Sequence, residues 1–216
     1  MPDRTNQRIQ RITRTGTFVM KWGGLGTGPG EFNGPVGVAA DASGHVYVTD
    51  HGNNRVQKFR VSNTGSVWEA RHLATWGGPG SGEGQFNGPF GITVDATGNL
   101  WVADGYNHRL QRFEADGRFL GSMGSFGTGP GSFVTPTWVT FDASGSYYVT
   151  ETNSDPSNAA APDLAQQRIQ IHAYGFLPAT SSWRKAGNGS MAPPCGRRVR
   201  GWVPLHCRRG ARMRPW

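Results

Sequence analysis

The stretch GPVGVAADASGHVYVTDHGNNRVQKF, residues 34–59, recurs 54 residues later as GPFGITVDATGNLWVADGYNHRLQRF, residues 88–113. A weaker third copy, TPTWVTFDASGSYYVTE, follows 47 residues further on, at residues 135–151. Near-identical Gly-rich linkers precede the first two copies, GTGPGEFN at 26–33 and GSGEGQFN at 80–87. Self-similarity at such a period indicates an array of similar structural units in place of one irregular domain.

We label the four strands predicted for each unit a to d in chain order. Strand a, Val36–Ala40 in the first full unit, is almost wholly apolar, as in a strand buried on both faces. Strands b and c, HVYVTD at 45–50 and RVQKF at 55–59, alternate between apolar and polar residues, which is typical of strands further from the core. Strand d is the least regular, at Phe18–Trp22, Leu73–Trp76 and Phe119–Met123. Four-stranded units without helical segments predict an all-β fold of β-propeller blades.

The turn between strands b and c carries the most specific pattern. Asp50, Asn53 and Arg55 stand there in the order Asp-x-x-Asn-x-Arg, followed by an apolar residue and, three positions later, an aromatic one. The same order recurs at Asp104, Asn107 and Arg109. Together with the Gly-rich linker and the Asp-Ala-Ser/Thr-Gly turn, this pattern resembles the NHL repeat over roughly residues 3–175. The resemblance implies NHL-type blades, which usually number six, within the roughly 4–8 of closed propellers.

The repeat count predicts an incomplete ring. Asp3, Asn6 and Arg8 repeat the motif near the N-terminus, so the chain is expected to begin at the end of a strand b. In the last unit Glu151 replaces the Asp, and a polar, Pro- and Ala-rich insert separates it from Arg168. We therefore expect an open, partial propeller that is a piece of a longer one. The expected segments are a remnant blade with strands c and d at 1–24, blades at 25–77 and 78–124, a blade at 125–175 with an exposed insert at 152–166 and no strand d, and a tail at 176–216.

The tail at 176–216 accounts for the net charge of +8. It contains 9 of the 22 Lys and Arg residues and none of the 14 acids, and it also holds both cysteines, Cys195 and Cys207. Its Arg-, Gly- and Pro-rich composition has no periodicity and resembles GC-rich DNA translated in a wrong frame. We expect it to be disordered and dispensable, and a basic arm that binds anions or RNA is the functional alternative.

The repeated polar residues of the blades are interpreted as structural. An Asp and an Arg on the two sides of a tight turn can pair, because the carboxylate accepts turn amides and the guanidinium offers a fork of donors. Asn suits the turn itself, since it tolerates left-handed backbone. The predicted structural set is Asp3, Asn6, Arg8, Asp50, Asn53, Arg55, Asp104, Asn107 and Arg109. Asp41, Asp95 and Asp142, each ahead of a Gly, are assigned to the turns between strands a and b.

No catalytic residue, metal or cofactor is predicted. The histidines occupy different places in their blades, so they do not form a ring. The NHL resemblance implies one enzymatic alternative, a fragment of a propeller lyase or hydrolase similar to peptide-amidating lyase, in which His and Asp from several blades bind metal around the central channel. An incomplete ring cannot supply such a ligand set. The Gly-rich linkers resemble phosphate loops, but each precedes a strand where a phosphate loop needs a helix.

An interaction role is the remaining hypothesis, because propellers display loops on a rigid scaffold. The sequence predicts a non-catalytic scaffold that binds a protein or small ligand on a propeller face. The candidate surface is His51, Trp68, Tyr106 and His108, with Trp68 in a predicted loop at 61–71. Packing against an adjacent blade is the alternative for the two large aromatic residues.

Further partners are predicted from charge and from strand edges. RNA binding, as in tripartite-motif-type propellers, implies a basic face, whereas residues 1–175 hold 13 bases against 14 acids. We therefore expect no nucleic-acid partner. Bare strand edges predict self-association. A membrane partner is not expected, because no apolar run approaches the roughly 20 residues of a membrane helix.

Overall fold

The computed structural model describes residues 1–152 and 168–172. Their strands form four antiparallel sheets in chain order, and the predicted all-β fold of propeller blades is confirmed. The first sheet contains β1 (Pro2–Asp3), β2 (Arg8–Ile12) and β3 (Phe18–Trp22). Two strands were expected in this remnant blade, and the structure adds the short β1, which pairs Asp3 with Arg8.

Three further sheets follow the first, and each keeps its strands in sequence order. The second sheet is formed by β4 (Pro35–Ala40), β5 (His45–Asp50), β6 (Arg55–Asn63) and β7 (Trp68–Gly77). The third is formed by β8 (Pro89–Val94), β9 (Leu100–Asp104), β10 (Arg109–Phe113) and β11 (Phe119–Met123). The fourth contains β12 (Pro136–Phe141), β13 (Tyr147–Glu151) and β14 (Arg168–His172). Single 3₁₀ turns at His51–Asn53 and Gly105–Asn107 form the b–c turns of the second and third blades.

The segment 61–71 is not the loop that was expected. Strands β6 and β7 continue through it as a long hairpin, in which Val61 pairs with Ala70 and Asn63 with Trp68. Val61 and Trp68 favour extended backbone, and the turn contains Gly65 with a φ of +102°. Trp68 therefore lies on a strand, where the guanidinium of Arg11 from the first blade stands 3.6 Å from its ring centroid.

The core lies between the blades. One apolar cluster joins the second blade to the third, through Tyr47, Val56, Leu100 and Val102 among others. Two similar clusters join the first blade to the second and the third to the fourth. Strand β4 packs beside β8, and β8 packs beside β12, so the strands labelled a are neighbours. Burial on both faces, which the sequence predicted for strand a, is only partial: Val36 and Val38 of β4 are half-buried, and Ala40 and Trp138 of β12 are exposed.

One Phe of each linker closes the end of an inter-blade cluster. Phe32, Phe86 and Phe133 stand at equivalent positions, and each is at most 1% exposed. A glycine at the end of strand d makes room for the ring: Gly77 has a φ of +109°, and a Cβ there would lie 2.7 Å from the Phe86 ring. Only glycine meets both requirements.

Part of the sequence falls outside this description. The predicted insert at 152–166, apart from Thr152, and the basic tail at 176–216 with Cys195 and Cys207 lie outside the described residues. Within residues 1–152 and 168–172, no helix has the length and apolar character needed to cross a membrane.

Candidate functional site

The carboxylate of Asp50, fully buried at the end of β5, organises the b–c turn of the second blade. Its Oδ1 accepts the backbone N–H of Asn33 at 2.7 Å. Its Oδ2 accepts from Asn53 Nδ2 at 2.9 Å and from Arg55 Nε at 2.8 Å. The structure thus brings the three predicted motif residues together and ties them to the linker that leads into strand a.

The far ends of the motif side chains hold the Gly-rich linker. The guanidinium of Arg55 donates to the carbonyls of Thr27, Gly28 and Glu31. Gln57, also fully buried, donates to the Glu31 carbonyl at 2.7 Å and accepts the Gly30 N–H at 2.9 Å. Gln57 was not predicted as part of this network, although Gln recurs at the same place in RVQKF, RLQRF and RIQIH.

The third blade repeats the network with the same geometry. Asp104 accepts from Asn107 and Gln111 at 2.9 Å, and from Arg109 at 2.8 Å. Burial raises the pKa of Asp104, and the donated hydrogen bonds oppose that shift in part. Arg109 and Gln111 in turn hold the carbonyl of Gln85, at 2.9 Å and 2.6 Å. These side chains are directed into their own blade, and a partner would meet little of them.

The outer two blades carry shortened versions of this network. In the first, Asp3 accepts from Asn6, Arg8 and Gln10 at 2.8–3.1 Å. In the fourth, the longer Glu151 reaches the Val134 N–H at 2.8 Å and Gln170 Nε2 at 2.7 Å. A carboxylate therefore ends strand b in all four blades, whichever acid supplies it.

A second set of carboxylates closes the opposite ends of the blades, at the a–b turns. Asp41 accepts the backbone N–H groups of Ser43 and His45, both at 2.9 Å. Each turn Asp also accepts a hydrogen bond from the ring six residues later, a donor that the turn pattern alone did not indicate. These donors are Tyr47 Oη, Trp101 Nε1 and Tyr148 Oη, each at 2.9 Å.

The residue before each motif Arg connects one blade to the next. Gln7, Asn54 and His108 have left-handed φ values of 54°, 52° and 55°. Gln7 Oε1 accepts the Gly34 N–H, and Asn54 Oδ1 accepts the Gly88 N–H at 2.8 Å. His108 uses Nδ1 to contact the Val134 carbonyl, and its ring lies against Phe126. His108, predicted as an interaction residue, therefore lies at the junction of the third and fourth blades.

His51 and Tyr106 are brought together on the face that carries the b–c turns. Their ring centroids are 5.9 Å apart, and both rings pack on Phe90, at 4.7 Å and 5.6 Å. His51 Nδ1 lies 3.3 Å from the Pro89 carbonyl. Burial, and secondly the positive charge of Arg4, hold the pKa of His51 below its usual 6.5. Trp68 does not join this group, because it packs on Arg11.

A cleft of about 400 Å³ opens on the same face, between the b–c turns of the first and second blades. We call it the Arg4–His51 cleft. It is lined by Arg4, Thr5, Gln7, Asn33, Gly34, His51 and Gly52. No predicted residue except His51 contributes to it, because a cleft between turns of different blades depends on their packing.

The cleft exists because Gly52 has no side chain. The equivalent residue of the third blade, 54 positions later, is Tyr106. The backbone N–H groups of both residues donate to the linker Asn, Gly52 to Asn33 at 2.8 Å and Tyr106 to Asn87 at 3.1 Å. The Tyr106 ring fills the second junction so closely that a Cβ on Gly88 would lie 2.5 Å from it. Aligning Gly52 with Tyr106 is the signal by which the sequence could have indicated an open junction.

The cleft presents hydrogen-bond donors and a positive charge. Among residues 1–152 and 168–172, no group of three or more His, Cys, Asp or Glu side chains is placed to hold a metal ion. The donors and the charge of Arg4 suit the cleft to binding a polar group.

Comparisons with known proteins agree with the repeat pattern. Residues 32–59 and 86–113 match the NHL repeat. NHL repeat-containing protein 3 of Mus musculus is 35% identical over 98 residues, covering 43% of this chain and 26% of the relative. A probable peptidyl-alpha-hydroxyglycine alpha-amidating lyase of Caenorhabditis elegans is 33% identical over 91 residues, covering 42% of this chain and 25% of the relative. The chain thus spans about a quarter of the length of these curated relatives.

Among solved structures, the hydrazine synthase of Kuenenia stuttgartiensis superposes with a TM-score of 0.53 at 11% sequence identity. The match covers 78% of this chain and 40% of that chain. At this identity the similarity concerns the fold alone.

Proposed function

We propose that this chain, which carries NHL repeats and folds as blades of a β-propeller, is a non-catalytic scaffold that binds a partner on the face of its b–c turns. The observation that supports this proposal is the Arg4–His51 cleft, an open junction in an array whose next junction is filled by Tyr106. A concave site with a few polar groups on a rigid frame is the usual form of a binding site.

The hydrogen-bond networks indicate that residues outside the motifs supply the binding groups. Asp50, Arg55 and Gln57 are committed to the linker of their own blade. Their role is to fix the turns that form the cleft walls. The wall residues Arg4 and Gly52 take no part in these side-chain networks.

The similarity to an amidating lyase and the resemblance to RNA-binding propellers suggest two other functions. Neither has a supporting feature in residues 1–152 and 168–172, so we propose neither.

A binding selection with matched variants tests the proposal. The full chain is screened against a display library of random peptides, and the selected peptides are then measured against Gly52→Tyr and Ala42→Tyr. Gly52→Tyr fills the cleft as Tyr106 fills the next junction. Ala42→Tyr places the same side chain in an exposed a–b turn at the other end of the blade.

The Gly52→Tyr variant requires a small adjustment of the turn. A Cβ at Gly52 would meet the Asn33 side chain at 2.7 Å and the Asn33 carbonyl at 2.8 Å. The side-chain amide has room to move into the cleft. The carbonyl contact is relieved if the turn moves away by a few tenths of an ångström, as in the third blade, where Tyr106 N lies 3.1 Å from the Asn87 carbonyl.

We expect peptide affinity to fall at least tenfold in Gly52→Tyr and to stay unchanged in Ala42→Tyr. Circular dichroism of both variants controls for folding. Selected peptides that bind Gly52→Tyr as tightly as the unmodified chain would show that the partner face lies elsewhere.

A further inference from the structure

Three polar side chains of the Arg4–His51 cleft have no hydrogen-bond partner within the described part of the chain. They are the Arg4 guanidinium, the Thr5 hydroxyl and the Asn33 amide. His51 Nε2 likewise has no hydrogen-bond partner there, because the ring directs its other nitrogen, Nδ1, toward the Pro89 carbonyl. The four residues that carry these groups line one cleft, in which Arg4, Thr5 and Asn33 are solvent-exposed. Polar groups that converge on a concave surface without partners are groups that a ligand can engage.

Arg4 gives the cleft its positive charge. The nearest acids are already paired: Asp3 accepts Arg8 Nε at 2.8 Å, and the buried Asp50 accepts Arg55 Nε at 2.8 Å. Burial, and secondly the charge of Arg4, lower the pKa of His51 and so favour its neutral ring. The cleft therefore holds one uncompensated positive charge, and this balances one negative charge on a ligand.

We propose that the Arg4–His51 cleft binds a carboxylate of a partner peptide, carried either by an acidic side chain or by a free C-terminus. The planar guanidinium of Arg4 matches the two oxygens of a carboxylate, and the Thr5 hydroxyl and Asn33 amide are neutral donors beside it. A phosphate dianion would leave one negative charge without a cation. This proposal rests on the proposed function and names the ligand chemistry of the same site.

The dimensions of the cleft agree with a peptide ligand. A cavity of about 400 Å³ lies within the roughly 300–1,000 Å³ of ligand sites. It is open to solvent along the face, so an acidic side chain can enter while the rest of the peptide lies on the neighbouring turns. Tyr106 and Phe90 stand on the far side of His51, where they offer apolar contact to flanking residues.

Binding is expected to depend on pH through His51. The groups that face His51 are Arg4 and Asp50, with Tyr106 and the Pro89 carbonyl at its other edge. A bound carboxylate adds a negative charge beside the ring and favours its protonated form. Affinity should therefore rise as the pH falls through the pKa of His51, and should fall again below about pH 4, where the ligand carboxyl is protonated.

The test is a titration of the full chain followed by NMR on the His51 ring. Sodium acetate is the probe, sodium phosphate is the competing anion, and sodium chloride keeps the ionic strength constant. The variants are Arg4→Gln, which removes the charge, and Arg14→Gln, which removes another exposed Arg away from the cleft. Two peptide arms separate the sources: a Glu-containing peptide with an amidated C-terminus, and its Gln counterpart with a free C-terminus.

We expect saturable acetate binding that raises the His51 titration midpoint and weakens about tenfold in Arg4→Gln, as for loss of one charge-assisted hydrogen bond. Arg14→Gln should behave as the unmodified chain. Absence of saturation, an equal response in Arg4→Gln, or tighter binding of phosphate than of acetate overturns the proposal. Library peptides that lose binding in Gly52→Tyr without any dependence on an acid would retain the scaffold function and reject the carboxylate.

Discussion

Asn54 Oδ1 accepts the backbone N–H of Gly88 at 2.8 Å, so the b–c turn of one blade fixes the beginning of the next blade's strand a. The contact requires Asn54 to hold a left-handed φ of 52°, a conformation that Asn adopts more readily than most residues. Gln7 makes the equivalent contact with Gly34 one junction earlier. The junctions are therefore joined by directional bonds as well as by apolar packing.

Replacing Asn54 should weaken the junction without disturbing the blade. Asn54→Gly keeps the left-handed backbone and removes only the side chain, and we expect it to lower the free energy of unfolding by about 1–2 kcal/mol. Asn54→Ala should cost more, since it adds the strain of a left-handed Ala. Urea denaturation of the two variants measures both effects. Equal stability of Asn54→Gly and the unmodified chain would contradict the bonding role.

Removing the buried carboxylate of Asp50 should strongly lower the free energy of unfolding. Asp50→Ala leaves Arg55 Nε and the Asn33 backbone N–H without their acceptor, and we expect a loss of about 3 kcal/mol or more in the free energy of unfolding. Asp3→Ala removes the equivalent, more exposed carboxylate of the first blade and should cost less. Denaturant midpoints provide the comparison, and a larger loss for Asp3→Ala would refute the assignment.

The a–b turn of the second blade should contribute to acid sensitivity. Burial tends to raise the pKa of Asp41, but hydrogen bonds from the His45 backbone and ring and from Tyr47 prevail and lower it to about 2. Because the folded pKa lies below the unfolded value of 3.8, this stabilisation is complete above about pH 4 and is lost as the pH falls toward 2. The stability difference between the unmodified chain and Asp41→Asn should shrink across that window. A difference independent of pH between 5 and 2 would argue against a paired Asp41.

The glycine that admits Phe86 should be intolerant of any side chain. In Gly77→Ala a left-handed backbone and a Cβ 2.7 Å from the Phe86 ring act together. Gly98→Ala is the control, because Gly98 has a φ of +84° but a Cβ added there would meet no atom within 4 Å, so its cost of about 1–2 kcal/mol is conformational only. We expect Gly77→Ala to lower the stability, measured by thermal unfolding, more than Gly98→Ala does. Equal costs would mean that Phe86 moves aside freely.

The blades could be predicted because their strands repeat simple local patterns. Alternation in HVYVTD and the apolar run at 36–40 depend on neighbouring residues alone, and the Asp50–Arg55 pair follows from its position at a turn. Trp68 was placed in a loop, because a long hairpin between irregular segments has no local signal. The recurring Gln and the difference between Gly52 and Tyr106 are visible in the sequence, but the contacts they make depend on residues brought together from distant positions.

The contrast between Gly52 and Tyr106 bears on how such arrays diverge. Of the two junctions between the first three blades, one is open and one is filled, and the side chain in which they differ lies outside the hydrogen-bond networks holding the blades. A duplicated blade can therefore keep its frame while a substitution at this single position changes the contour it presents. Under the proposed function, such a substitution would change which partner one junction accepts while the blade fold is kept.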